Sequence, residues 1–294
     1  MLGYMQYLLL KGFSLFINLF PEGFSLWMGR QLGRLAYYLD REHRNVALQN
    51  LDTAFGQERS EGELHIIAKK TFQNLGMMAI EFFRIPRMDV ENFKKKLVVE
   101  GLDKAMELFK KSGVLLLVSH FGNWELMGLM SKVIGNPIMV IAKPMKNRYI
   151  DQFITGIRQA AGLEVILPEK ASRKVIRALS ENRVVGILID QRAKRSEGVW
   201  ADFFGRKAPT TPGLALLALK TGAPVLPVFM IRNGFQRHRL LIKKPLELIR
   251  TGNVKKDVEA NTQLINLTLE SMIRQYPDQW FWVHRRWERK RARH

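Results

Sequence analysis

The residues best suited to chemistry in this chain are His120 and Glu125, in the run Ser119-His120-Phe121-Gly122-Asn123-Trp124-Glu125. An alcohol is a poor nucleophile until a base removes its proton, and histidine is suited to that task near neutral pH. A carboxylate on the other ring nitrogen fixes the tautomer and stabilises the imidazolium that forms. Of the six histidines, His120 alone is followed five positions later by an acidic residue. Spacing of this kind is a weak signal by itself, and context strengthens it. The motif follows the apolar run 113–118. His120 is therefore expected at the carboxyl end of a buried strand, where open α/β sheets place their ligands. Gly122 permits a tight turn and Asn123 can cap a following helix. Such a corner can fold Glu125 back towards the ring, which one regular helix cannot, since five residues lie about 140° apart around its axis.

Asp190 occupies a similar place at the end of the run 184–189, followed by Gln191 and Arg192. The plain alternative is an acid that caps a loop or pairs with Arg192. Arg158, in Gly156-Ile157-Arg158-Gln159, has the planar fork that reads phosphate, though a solvated helix charge is the commoner use. Residues 203–213 read as a loop opening a helix, with Arg206 and Lys207 placed to hold a phosphate. The Pro-interrupted run 223–228 reads as an edge strand or a bulge.

Other chemistries lack their residues. There is no cysteine, hence no disulfide framework, thiolate nucleophile or thiolate metal site. There is no Gly-x-Ser-x-Gly elbow, no His-x-x-x-His pair, no Walker loop and no Gly-x-Gly-x-x-Gly stretch. No cofactor or metal is expected, and direct attack by an acceptor hydroxyl on a bound thioester is simpler than an acyl-enzyme.

The elements needed to position these residues can be read from periodicity. Helical patterns dominate to about residue 96, and Ser60 to Glu63 reads as a capping box for a helix running to Phe83. Beyond that, short apolar runs at 114–118, 138–141, 184–189 and 225–231, with a further strand at 239–243, read as strands. They alternate with helical patterns at 124–134, 149–161, 172–182, 213–221 and 258–275. Alternation of this kind predicts an α/β fold with a mostly parallel central sheet flanked by helices. The expected organisation is an amino-terminal membrane-anchoring helical region, residues 1–96, packed against an α/β catalytic domain, residues 97–294.

Met1 to Phe20 is almost wholly apolar, with Lys11 its only charge. It lacks the basic start and the cleavage site of a signal peptide, and Lys11 sits at the centre of any transmembrane span. As a helix it lines up Lys11, Ser14 and Asn18 on one stripe. That pattern suits a helix lying in a bilayer interface, or inserted with its polar stripe against protein; the alternative is a buried core helix. Pro21 then opens a second helix that carries Phe24 and Trp27 beside Arg30 and Arg34, as a headgroup-level segment would. The net charge of +20 calls for an anionic partner. The basic tail 284–294, with Trp287, could touch acidic protein, anionic lipid or nucleic acid, a solvated tail being the default.

His120-Phe121-Gly122-Asn123-Trp124-Glu125 resembles the His-x4-Asp/Glu motif of glycerolipid acyltransferases, in the version found in the bacterial lipid A biosynthesis late acyltransferases. Arg44-Asn45-Val46 to Asn50-Leu51, Phe55, Asp190-Gln191, the Phe204-Gly205 to Thr210 segment, Pro224 with Pro227, and Trp282 to Arg286 agree in order and spacing. The resemblance implies an acyl chain carried by acyl carrier protein as donor. It implies a hydroxyl of an acylated, phosphorylated glucosamine lipid, a lipid A precursor, as acceptor. The location implied is the cytoplasmic face of the bacterial inner membrane. His120 and Glu125 match the catalytic pair, and Arg158 and Asp190 match further functional polar positions. Asn123, Arg158, Asp190 and Arg192 are thus expected to bind substrate. Related acceptors, namely lysophospholipids, glycosylated phosphoinositides and aminolipids, fit the same motif. A basic nucleic-acid-binding protein would explain the charge but neither the apolar start nor the His/Glu motif, so no nucleic-acid partner is expected.

Overall fold

The computed structural model describes residues 2–169 and 171–287. Four helices come first: α1 (Leu2–Ile17), α2 (Glu22–Leu39), α3 (Arg41–Phe55) and α4 (Glu61–Arg84). The capping box at the start of α4 is present. The Ser60 hydroxyl accepts from the Glu63 N–H, and the Glu63 carboxylate accepts from the Ser60 N–H at 2.8 Å. Then follow α5 (Val90–Lys95), β1 (Leu97–Glu100), α6 (Leu102–Lys111), β2 (Val114–Val118), α7 (Met130–Ile134), β3 (Ile138–Ile141) and α8 (Arg148–Ala160). The chain continues through β4 (Leu163–Ile166), α9 (Ala171–Ser180), β5 (Val184–Leu188), β6 (Val199–Phe203), β7 (Arg206–Thr210) and α10 (Gly213–Thr221). It closes with β8 (Val225–Arg232), β9 (His238–Ile242) and α11 (Val254–Gln275).

A seven-stranded sheet runs in the order β1-β9-β8-β2-β5-β3-β4, while β6 and β7 form a separate hairpin. Within the large sheet only the β8–β9 pair is antiparallel. The α/β fold expected from the alternation of apolar runs is therefore present. Successive side chains of β2 feed opposite faces: Leu115 and Leu117 join one core, Val114, Leu116 and Val118 the other. Helix α4 contributes to both, with Leu64, Ile67 and Phe72 in the first core and Met77, Ile80 and Phe83 in the second.

Helices α2 and α4 cross closely because glycines face each other. A Cβ on Gly76 would lie 2.1 Å from the Gly29 carbonyl oxygen, and one on Gly33 would lie 2.1 Å from the Phe72 carbonyl oxygen. Backbone on both sides leaves no side chain to yield. Gly76→Val is expected to destabilise by about 3 kcal/mol, roughly 6–12 °C in Tm, read by thermal unfolding. An unchanged Tm would mean that the helices can separate at no cost.

Several elements differ from the sequence reading. The helical stretch expected at 124–134 is present over 126–134, but it starts as a 3₁₀ turn at Leu126–Leu129 that leads into α7, and every residue from Leu126 to Ser131 is buried. A segment buried all round has no amphipathic period to hold it as one helix. Residues 203–213 are not one loop. Phe204 and Gly205, both at positive φ, close the β6–β7 hairpin, and α10 starts after it. The strand carrying Pro224 and Pro227 is not an edge: β8 lies between β2 and β9. Pro227 is tolerated because its pairing with Leu117 is the last of the β2–β8 ladder, while its carbonyl accepts from Lys243 N–H at 2.9 Å. Strands β1, β4, β6 and β7 are four or five residues each, too short to announce themselves.

No described helix is long and apolar enough to cross a membrane. Part of the polar stripe of α1 faces protein while Lys11 stays exposed: Ser14 is buried, and the Asn18 amide donates to the Ser14 and Phe83 carbonyls at 2.7 and 3.2 Å. The opposite side leaves Leu2, Met5, Leu8, Leu9, Phe16 and Leu19 exposed. Helix α1 is therefore not a buried core helix. Phe24, Trp27, Leu35 and Leu39 of α2 are exposed as well. At the other end, Arg286 and Trp287 are packed inside the protein rather than solvated, and the remaining tail, 288–294, lies outside the described residues.

Candidate active site

Strands β2 and β5 are parallel neighbours, with Val118 opposite Leu188. Two residues further along each chain, still side by side, stand His120 and Asp190. The register of the sheet thus brings together residues seventy positions apart. His120 Nδ1 lies 2.8 Å from Asp190 Oδ1, and the His120 backbone N–H donates to Asp190 Oδ2 at 2.9 Å. Trp280 Nε1–H donates to the same Oδ2 at 2.8 Å. A carboxylate can only accept, so Nδ1 carries the proton and Nε2 presents a lone pair. The Gln191 amide stands 3.3 Å from that nitrogen.

Burial alone would pull the His120 pKa down, but the Asp190 carboxylate and its hydrogen bond, assisted by Glu125, hold it above the ordinary value. Burial alone would raise the Asp190 carboxyl, but His120 and the Trp280 donor hold it below the usual range. A poised base with its orienting acid is the result. The rings of Trp124 and Phe281 flank the imidazole, their centroids 5.1 and 5.8 Å away.

Glu125 is not the carboxylate on the ring nitrogen. Both its oxygens are held by Arg158, with Nη2 2.6 Å from Oε1 and Nε 3.0 Å from Oε2. Arg158 comes from the last turn of α8 and is partly buried, so it is not a solvated helix charge. Asn123 also differs from its expected role. It is buried, its Oδ1 accepts from Leu126 N–H at 3.1 Å, and its Nδ2 donates to Glu81 at 2.6 Å; it does not line the cavity. Arg192 does line the cavity, and its backbone N–H meets His284 Nε2 at 3.2 Å.

That cavity measures about 920 Å³. His120, Glu125, Arg158, Gln191 and Arg192 form its polar part; Phe82, Leu116, Met130, Ile138, Leu240 and Ile242 line its apolar part. A volume near the upper end for ligand pockets, mostly apolar with a few convergent polar groups, suits a long-chain ligand. Among the described residues no group of three His, Asp or Glu side chains is arranged to hold a metal ion.

The segment after α11 closes the back of the site. Gly122 N–H donates to the Gln279 carbonyl at 2.7 Å, and Phe281 N–H donates to the His120 carbonyl at 3.0 Å. Trp280 went unread in the sequence. The signal was there in Trp280-Phe281-Trp282, since a buried carboxylate needs donors and indole supplies one. Trp280→Phe keeps the ring and removes the donor. It is expected to lower kcat by about tenfold with KM unchanged, in steady-state assays. Wild-type kcat would show that His120 alone orients Asp190.

The chain matches the model of the bacterial lipid A biosynthesis acyltransferase family over residues 1–289. It is 27% identical over 273 residues to the lipid A biosynthesis palmitoleoyltransferase of Escherichia coli (strain K12), covering 91% of this chain and 86% of the relative. It is 27% identical over 263 residues to the lauroyltransferase of the same strain, covering 89% and 84%. The phosphatidylinositol mannoside acyltransferase of Mycolicibacterium smegmatis (strain ATCC 700084 / mc(2)155) is 27% identical over 212 residues, covering 70% and 67%. With almost its whole length matched and His120 lining a mostly apolar cavity, this chain belongs to the bacterial lipid A biosynthesis acyltransferase family.

Proposed function

We propose that this O-acyltransferase moves a fatty acyl chain from acyl carrier protein to a hydroxyl of a lipid A precursor, with His120 as general base. The single observation that carries the reading is His120 Nε2, made basic by Asp190 at Nδ1, in the wall of a cavity lined mostly by apolar side chains. The acyl chain lies in the apolar part, each buried methylene contributing about 0.8 kcal/mol. The acceptor hydroxyl displaces the Gln191 amide from Nε2. Its oxygen attacks the thioester carbonyl carbon as its proton passes to Nε2. The carbon–sulfur bond then breaks, and the imidazolium returns the proton to the departing thiolate. Glu125 acts through Arg158: it holds the guanidinium at the cavity wall, leaving Nη1 to face a developing oxyanion or an acceptor phosphate.

The apolar residues left exposed on α1 support a membrane location. The helix's exposed apolar side rests in the bilayer interface on the cytoplasmic face of the inner membrane, with part of its polar stripe against protein. Tyr4 and Tyr7 of α1 pack on Tyr149 of α8, and Tyr7 also on Phe153, while Ile154 and Arg158 of the same helix line the cavity. The active cavity is thus one helix away from lipid. The net charge of +20 complements an acidic carrier protein and a phosphorylated acceptor.

The relatives include phosphatidylinositol mannoside acyltransferases, which supports a second acceptor class. The test offers purified protein acyl carrier protein loaded with chains of different length, alongside acyl-CoA. A tetra- or penta-acylated lipid A precursor is set against a phosphatidylinositol mannoside and a lysophospholipid. Transfer from the carrier protein to the lipid A precursor is the expected result. Transfer only to one of the other lipids would replace the acceptor, and transfer only from acyl-CoA would replace the donor.

A further inference from the structure

We propose that Glu81, on α4 of the amino-terminal helical region, is a positioning residue for the active corner, acting through Asn123. Glu81 is 1% exposed. Its carboxylate is paired with Arg232 at the end of β8, with Nη1 3.0 Å from Oε1 and Nη2 on Oε2. Its Oε2 also accepts from Asn123 Nδ2 at 2.6 Å, and His238 Nε2 lies 3.5 Å from Oε1. Burial alone would raise the Glu81 carboxyl, but Arg232 and His238 hold it below the usual range.

Asn123 joins Glu81 to the chemistry. It sits three residues after His120 and two before Glu125. Its backbone N–H donates to the Met230 carbonyl at 2.9 Å, and its Oδ1 receives Leu126 N–H. The backbone N–H and both side-chain polar atoms of Asn123 are thereby engaged, one of them by a residue from outside the sheet. A buried ion pair contributes little net stability compared with an apolar pair of the same size. Holding the amide of Asn123 in one orientation is something an apolar pair would not do. The amino-terminal helices are therefore part of the catalytic apparatus as well as a route to the membrane.

The proposal rests on the acyltransferase reading for its kinetic test but not for its spectroscopic one. Removing Glu81 alone would strand Arg232, so the variants are neutral pairs. In Glu81→Leu/Arg232→Met the acceptor for Asn123 is gone. In Glu81→Gln/Arg232→Met an amide oxygen remains to accept. The first is expected to lose about 10–100-fold in kcat at unchanged KM, and the second to recover to within about threefold of wild type. Asn123→Ala, which leaves the Glu81–Arg232 pair intact, should lose as much as the Leu/Met variant. A ring-¹⁵N titration of His120, which needs no substrate, should report a pKa below the wild-type value in the two loosened variants, because the ring drifts from Asp190. The charged groups facing that ring are Asp190, Glu125, Arg158 and His284, none of them altered.

Thermal melts establish folding. Wild-type kcat and titration in either folded Leu/Met protein or Asn123→Ala overturns the proposal. So does equal loss in the Leu/Met and Gln/Met pairs, which would make the role one of packing alone. Should the Leu/Met pair not fold, Asn123→Ala decides by the same two readouts. Absence of transfer by the wild type would sink the acyltransferase reading and leave the titration to judge Glu81.

Discussion

Asp190→Asn is expected to lower kcat by about 10³–10⁴-fold while leaving the protein folded. The asparagine amide would offer either a carbonyl or an amino group to His120 Nδ1, and only the former keeps the proton on Nδ1. Charge compensation of the imidazolium is lost in both cases. The pH profile supplies a second, independent sign. In the wild type, Asp190 holds the His120 pKa above its ordinary value, so the acid limb of kcat/KM lies above about 6.5. Without the carboxylate, burial pulls the pKa down and the limb moves to lower pH. A faster fall of activity in acid, or an unshifted limb, would contradict the assignment of Asp190 as the orienting acid. His120→Ala should remove activity to the level left by binding and oxyanion stabilisation. Glu125→Gln should act through Arg158, losing activity without the same displacement of the limb. If Glu125→Gln moves the limb and Asp190→Asn does not, Glu125 and Asp190 exchange roles.

The second large effect belongs to Gly122. Its φ is +59°, and a Cβ there would lie 1.8 Å from the Met230 carbonyl oxygen. Gly122→Ala therefore meets two obstacles: the left-handed backbone, costing about 1–2 kcal/mol, and a collision with β8 backbone that must push the corner away. Displacement of a catalytic corner by about 1 Å costs on the order of 100-fold in rate. The expected outcome is at least that loss in kcat, together with a lowered Tm. Gly135→Ala is the control. Its φ is +68° and nothing lies within 4 Å of a Cβ, so it carries the backbone cost without the collision. Comparable activity in the two variants would show that the corner has room to move.

The positions of His120 and Asp190 were legible because an apolar run of five or six residues ends just before each. Their partnership was not. Sequence order says nothing of which strands lie side by side, and β3, β4 and three α-helices intervene between β2 and β5 along the chain. The motif spacing drew Glu125 towards the ring, whereas the structure turns that carboxylate onto Arg158 of α8, a contact across thirty-three residues. Asn123 was read as a cap and does receive the Leu126 N–H, but its second bond, to Glu81, crosses forty-two residues and left no local trace. Helices with a clear amphipathic period, such as α8, α9 and α11, were found to within a few residues. The stretch 124–134 was legible as helical, but its opening 3₁₀ turn at Leu126–Leu129 was not, because that segment is buried on every side and shows no amphipathic period.

The clasp formed after α11 makes the aim of the base depend on a distant part of the chain. Trp280 supplies a bond to Asp190, Gln279 holds the Gly122 N–H, Phe281 holds the His120 carbonyl, and Asn50 of α3 grips the Trp282 and His284 carbonyls at 2.7 Å each. Arg286, buried and with its pKa lowered to about 10 by that burial, is fastened to Pro209 and Thr210. A chain cut before Pro277 keeps its base and its acid but loses the groups that aim one at the other. Such a cut, remote from both residues along the chain, is expected to silence the site without touching either.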